Sequence, residues 1–127
     1  MITAAQQGDR IRAIIVEDNF ILADSLRMFL QSCDVTVVDI AGDVSSGLSL
    51  VERAEFDVAV LDIRLGIETV ADVARRIQDA GTPIIYLSGY ADADLLPEDL
   101  RDHPCLGKPF APEELLETIR TVFGRTT

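Results

Sequence analysis

The sequence predicts a single α/β domain, a parallel sheet of five strands with helices on both faces. Three observations carry that expectation. Short runs rich in β-branched residues alternate along the chain with segments of helical spacing. The runs are apolar on both faces rather than on one, as in strands covered from both sides. A length of 127 residues with 48% hydrophobic composition suits the core of one domain.

The elements follow in order. Residues 1–10, "MITAAQQGDR", form a polar lead-in without the basic start and apolar middle of an export signal. "IRAIIV" (11–16) is the first strand. After "EDN" comes a helix over 19–32, with Leu22, Leu26, Phe29 and Leu30 on one core stripe. "VTVVDIA" (35–41) is the second strand and "SSGLSLVERA" (45–54) a short helix. "DVAVLD" (57–62) is the third strand, and a helix over about 67–80 stops at Gly81. "PIIYLS" (83–88) is the fourth strand.

The stretch 91–102 makes a poor helix, because Pro97 removes a backbone donor and costs about 3 kcal/mol inside a helix. A short, mobile or broken segment is expected there. "CLG" (105–107) is a short fifth strand. "PEELLETIRTVF" (112–123) is a helix, with Pro112 in its first turn and acids where the helix dipole favours them. The domain is expected over 11–124, with 125–127 as a tail.

A net charge of −11, with 11 scattered Lys and Arg, argues against a nucleic-acid surface and for protein partners. No run approaches the roughly 20 apolar residues of a membrane span. Cys33 and Cys105 lack metal-type spacing, so both are expected to be reduced packing residues of a cytoplasmic chain. His103 stands beside Pro104 with no evident partner and is assigned no function.

In doubly wound sheets ligands bind beyond the carboxyl ends of the strands. Strand one ends in Glu17 and Asp18, strand three in Asp62, strand four in Ser88 and Gly89, and strand five runs into Lys108 and Pro109. A parallel sheet gathers all of these on one edge. Taken singly, Asp62 reads as a strand-end cap, Ser88 as a turn residue and Lys108 as a surface lysine. Taken together, three carboxylates repel one another unless a cation is present. Mg²⁺ suits them, since it takes one or two carboxylates, keeps waters and bridges to phosphate oxygens. The hydroxyl and the ammonium then hold the remaining oxygens of a phosphoryl group, and phosphoryl transfer needs mainly such positioning and neutralisation.

The set "VEDN", "LDIRLG", "YLSG" and "KPF", in this order and spacing, resembles the receiver domain of bacterial two-component response regulators over about residues 10–124. The resemblance implies a flavodoxin-like fold with strand order 2-1-3-4-5. It implies that Asp62 accepts a phosphoryl group from a phosphohistidine of a histidine kinase or phosphotransfer protein. Asp18 and Asp62 would bind Mg²⁺ directly, Glu17 through water, and the Arg64 carbonyl would complete the protein ligands. Ser88 and Lys108 would hold phosphoryl oxygens, and the Lys108–Pro109 bond would be cis. Such a protein is a phosphoacceptor that assists its own phosphorylation and dephosphorylation, not an enzyme acting on other substrates.

Family partners dock on the first helix and on the loop after strand five, which implicates Asn19, Ile21, Leu22, Ser25, Pro109 and Phe110. A second stripe on the first helix, Ile21, Ser25 and Met28, lies outside the core stripe and fits such a surface. The competing expectations are that Ile21 packs on a neighbouring loop and that Phe110 is a core residue.

Beside the weak helix at 91–102, two departures from the family bear on switching. Gly66 stands where many receivers carry proline, so a looser loop is expected. Cys105 stands at the usual switch aromatic, and Tyr90 in "YLSGY" offers a replacement, resembling the aromatic–Ala–Thr–Gly receiver subgroup of often single-domain proteins. Arg64 and Tyr90 flank the site and are expected to form a cation–π gate that sets phosphoryl lifetime. The whole reads as a stand-alone switch or relay that acts on a downstream protein. Alternatives are a receiver piece of a longer regulator or hybrid kinase, and a degenerate receiver that only binds partners. A haloacid dehalogenase-type phosphatase fits less well, because Arg64 stands where its second aspartate would be.

Overall fold

The computed structural model describes residues 11–89 and 91–123. Its central sheet is laid down by β1 (Ile11–Val16), β2 (Val35–Ala41), β3 (Val58–Asp62), β6 (Ile84–Ser88) and β7 (Cys105–Gly107). Between them run α1 (Phe20–Ser32), α2 (Val44–Arg53), α3 (Ala71–Asp79) and, after β7, α4 (Pro112–Val122). The spatial order is β2-β1-β3-β6-β7 and every pairing is parallel, which is the expected 2-1-3-4-5 order of five strands.

The alternation of side chains along each strand divides the core in two. Ala13, Ile15, Val58, Val60, Ile85 and Leu87 pack with Leu26 and Leu30 of α1 and Leu115 and Ile119 of α4. Ile14, Val16, Ala59, Leu61, Ile84 and Tyr86 pack with Leu50 of α2 and Val73 and Ile77 of α3. Strands apolar on both faces are therefore apolar because each face carries a helix layer.

Local chemistry starts the helices where they start. Asn19 caps α1, its Oδ1 accepting from the N–H groups of Ile21 and Leu22, both at 3.1 Å. Asp43 caps α2 by accepting from Ser46 N at 2.8 Å. Glu114 reaches back to Ala111 N at 3.0 Å at the start of α4, with Pro112 as its first residue.

At its amino end β3 is clamped to β1. Arg12 donates to Asp57 from its backbone N at 2.8 Å, from Nε at 3.3 Å and from Nη2 at 3.2 Å.

Two segments differ from the sequence expectation. The third helix begins only at Ala71, because 64–69 folds into a small antiparallel hairpin of β4 (Arg64–Leu65) and β5 (Glu68–Thr69). Gly66 turns that hairpin with φ +65, a left-handed conformation that glycine adopts without the cost of a side chain. The glycine thus shapes a folded loop rather than merely loosening it. The stretch 91–102 is broken as expected, into single 3₁₀ turns at Asp92–Leu95 and Glu98–Leu100 on either side of Pro97. It is anchored: Leu96 and Leu100 are buried, Tyr86 Oη donates to Leu100 O at 2.7 Å, and Arg101 Nε donates to Leu96 O at 2.8 Å.

Cys33 packs partly against the core, but Cys105 does not. It is exposed because β7 is a three-residue strand at the sheet's edge, paired on one side only. His103 has partners after all: its Nε2 lies 2.7 Å from Gln78 Oε1, and its ring meets that of Tyr86 edge-on, centroids 5.9 Å apart. No helix among the described residues is long and apolar enough to cross a membrane.

Candidate phosphoryl-transfer site

Burial singles out the site. Among the described residues the buried polar or charged side chains are Glu17 (0% exposed), Asp62 (3%) and Ser88 (8%), each at the carboxyl end of a different strand. Uncompensated carboxylates would not be tolerated there. The compensation is Lys108, carried in by the turn after β7, whose Nζ donates to Glu17 Oε1 at 2.9 Å and to Asp62 Oδ2 at 3.0 Å. Its backbone is fixed as well, Lys108 N donating to Ser88 O at 2.7 Å, and the Lys108–Pro109 bond is cis as expected.

Asp18 completes the acidic group from the exposed side. One oxygen each from Glu17, Asp18 and Asp62 lie within 4.8 Å of one another. Asp18 Oδ2 accepts from Gly66 N at 3.1 Å, so the hairpin after Asp62 is tied to the loop after β1. Both oxygens of Glu17 are engaged, Oε1 by Lys108 and Oε2 by Asn19 N at 3.1 Å. Asp62 Oδ1 accepts a long hydrogen bond from Arg64 N at 3.4 Å.

Burial raises the Glu17 carboxyl above its ordinary range, and the neighbouring Asp62 adds to this while Lys108 opposes it. Burial acts most strongly on Lys108 and pulls it down, but the bonds to Glu17 and Asp62 together outweigh it and the ammonium is held above its usual value. Three carboxylates against one ammonium leave two negative charges on an all-oxygen donor set. That set fits a hard divalent cation.

The remaining expected residues are distributed unevenly. Ser88 Oγ lies at the same edge and donates to Gly89 O at 3.0 Å. Arg64 Nε donates to Asp92 Oδ1 at 3.4 Å. Tyr90, the other half of the expected gate, lies outside the described residues. Cys105 sits on the edge strand opposite Tyr86.

Of the docking residues, Asn19 serves as the helix cap, and Ile21 is 82% exposed, which overturns the reading that it packs on a neighbouring loop. Leu22, Ser25, Pro109 and Phe110 line a cavity of about 440 Å³ with Leu26, Lys108 and Pro112. Phe110 serves both readings, since it also packs on the core. Sequence reasoning missed Asp92, whose role depends on a fold-back that no spacing rule announces.

A family model for the response regulator receiver domain matches residues 13–120. The chain belongs to this family. Among curated relatives, this receiver is 31% identical over 121 residues to the transcriptional regulatory protein CutR of Streptomyces coelicolor, covering 92% of this chain and 55% of CutR. To DltR of Streptococcus agalactiae it is 33% identical over 116 residues, covering 87% of this chain and 50% of that protein. The receiver thus spans about half the length of the curated relatives it matches.

Among solved structures, SdrG from Sphingomonas melonis Fr1 superposes with a TM-score of 0.76 at 30% identity, over 90% of this chain and 97% of that one. A CheY-like receiver from Methanospirillum hungatei superposes with a TM-score of 0.79 at 24% identity, over 93% and 97%, and shares the fold. Receivers take part in phosphorylation-based signalling and are phosphoacceptors rather than general catalysts.

Proposed function

We propose that this receiver accepts a phosphoryl group on Asp62 from a phosphohistidine of a histidine kinase or phosphotransfer protein. The observation that carries the reading is the ammonium of Lys108 held between the buried carboxylates of Glu17 and Asp62, 2.9 and 3.0 Å away. A charge this costly to assemble at a strand end has a use in positioning and neutralising a transferred phosphoryl group.

In the transfer, a carboxylate oxygen of Asp62 forms the new P–O bond as the P–N bond to the donor imidazole breaks. The electron pair of that bond stays on the imidazole nitrogen. Lys108, already within bonding distance of Asp62, turns one N–H to an oxygen of the arriving group. Ser88 Oγ, bonded here to its neighbouring carbonyl, is free to rotate and donate to a second oxygen. Asp62 is 3% exposed, and that burial limits the water that could hydrolyse the product.

Mg²⁺ would be held by Asp18 and Asp62 directly and by the carbonyl of Arg64. Glu17, whose oxygens accept from Lys108 Nζ and Asn19 N, would act through water. Bound there, the ion supplies positive charge against the phosphoryl oxygens. The donor helix would lie along α1 and the cavity formed with Pro109 and Phe110, and the signal would leave through protein–protein contacts.

Incubation with acetyl phosphate tests the reading. A phosphoryl mass increment is expected that disappears with EDTA and in Asp62→Asn. Absence of the increment in the intact protein would remove phosphoacceptance and leave a binding module.

A further inference from the structure

The loop that follows Ser88 carries an anion of its own. Backbone groups of β6 alternate in direction: Leu87 O accepts from Ile63 N on the β3 side at 3.0 Å, and Ser88 O accepts from Lys108 N on the β7 side at 2.7 Å. By that alternation the Gly89 N–H turns back toward β3, where Asp62 ends the strand and Arg64 follows. The donor is already occupied. Asp92 Oδ2 accepts from Gly89 N at 2.8 Å, while Asp92 Oδ1 meets Arg64 Nε at 3.4 Å. The Asp92 side chain is only 14% exposed, against 55% for Arg64.

Two further features show how closely this carboxylate is fitted. A Cβ at Gly89 would stand 3.0 Å from Asp92 Oδ2, so a side chain there would require the carboxylate to shift by a few tenths of an ångström. Ala91, between them, is held at φ 62, a strained left-handed conformation for alanine that turns the chain back on itself.

We propose that Asp92 is an internal stand-in for a phosphoryl oxygen. In the unphosphorylated protein its carboxylate occupies the Gly89 amide and the Arg64 guanidinium, the two donors on the β3 side of the loop that an anion on Asp62 would recruit. This rests on Asp62 being the phosphoacceptor. The phosphoryl group and Asp92 are both anions drawn to the same donors, so they exclude one another. Phosphorylation displaces Asp92, and because Asp92 begins the first 3₁₀ turn of the 92–100 segment, the displacement reshapes that segment. Asp92 is thus a positioning residue that weakens the site for its ligand and couples occupancy to the loop.

The test uses beryllofluoride with Mg²⁺ as the phosphoryl analogue, titrated into the full chain by calorimetry and by ¹⁵N NMR of the Gly89 amide. Asp92→Ala should bind the analogue on the order of tenfold more tightly than the parent, the scale of one charge-assisted hydrogen bond no longer in competition. Asp92→Asn, which keeps the shape but not the charge, should fall between them and covers the case in which the alanine variant does not fold. The Gly89 amide proton should resonate downfield in the parent, move upfield in Asp92→Ala, and return downfield when the analogue is added. Equal or weaker binding by both variants, with the parent binding, overturns the stand-in role alone. Failure of the parent to bind, matching Asp62→Asn, overturns the phosphoacceptor reading and the stand-in role with it.

Discussion

Replacing Lys108 with methionine keeps the length and packing of the side chain and deletes its charge. The structure fixes what is left behind: Glu17 with no exposed surface and Asp62 with almost none, each losing a bond of about 3 Å. Removing one partner of a fully buried ion pair costs roughly 3–5 kcal/mol. The Lys108 side chain is itself 30% exposed, so water screens part of the interaction and the expected loss is about 2–3 kcal/mol at neutral pH in EDTA. Urea unfolding measures it.

Two dependences should accompany the loss. A divalent cation supplies the missing charge, so excess Mg²⁺ should stabilise Lys108→Met more than the parent and shrink the difference between them. The second is pH. Burial raises Glu17 in the folded protein, and Lys108 opposes that rise, so the variant raises it further. A carboxyl raised on folding contributes stability below its unfolded value, near 4.5, and loses it as pH climbs through the folded value. In EDTA the variant should therefore lose more stability than the parent between about pH 5 and pH 7. Equal urea midpoints in EDTA, or a deficit that Mg²⁺ leaves unchanged, would refute the charge argument.

Other expectations follow from single residues. Ala91→Gly relieves the left-handed strain at φ 62 and should raise stability by about 0.5–1 kcal/mol, offset in part by the greater freedom of glycine in the unfolded chain; a lower urea midpoint would contradict this. Burial holds His103 below its ordinary value of 6.5, so its contribution is present above that pH and lost as pH falls through the folded value. His103→Gln should accordingly lose less stability than the parent on acidification from pH 7 to pH 5, and parallel profiles would exclude the histidine. Ile21→Asp places a charge on the exposed face of α1 and should slow transfer from a phosphohistidine donor by about tenfold, the weight of one interface anchor, with acetyl phosphate labelling unchanged. Equal slowing of both reactions would mean that Ile21 supports the site rather than the partner.

The sheet was legible because its signal is dense. β1, β2 and β7 begin and end where the apolar runs do, and the strands' two-faced apolarity corresponds to two real helix layers. The site was legible by the same route, since a parallel sheet brings Glu17, Asp18, Asp62, Ser88 and Lys108 to one edge whatever the details of packing.

What escaped was local and short. Two-residue strands carry no alternation, so β4 goes unassigned, β5 falls inside the stretch that reads as helix, and Gly66 reads as slack where the hairpin needs positive φ. Asp92 as a partner of Arg64 escaped because it reaches the guanidinium only through a loop turned back at Ala91. Cys105 was read as packing because free cysteine is commonly buried, but a three-residue edge strand offers little to be buried in.

Arg12 and Asp57, far from the chemistry, bear on how a signal can leave the site. Their three contacts hold the lower end of β3, and Lys108 holds the upper end through Asp62. A strand moored at both ends, between neighbours paired along its length, resists sliding and tilting. A displacement begun at Asp62 meets that resistance along the axial route through the sheet. On the proposed phosphoacceptor reading it would travel outward, along the hairpin that begins at Arg64 and the loop that begins at Gly89, rather than along the strand that carries Asp62.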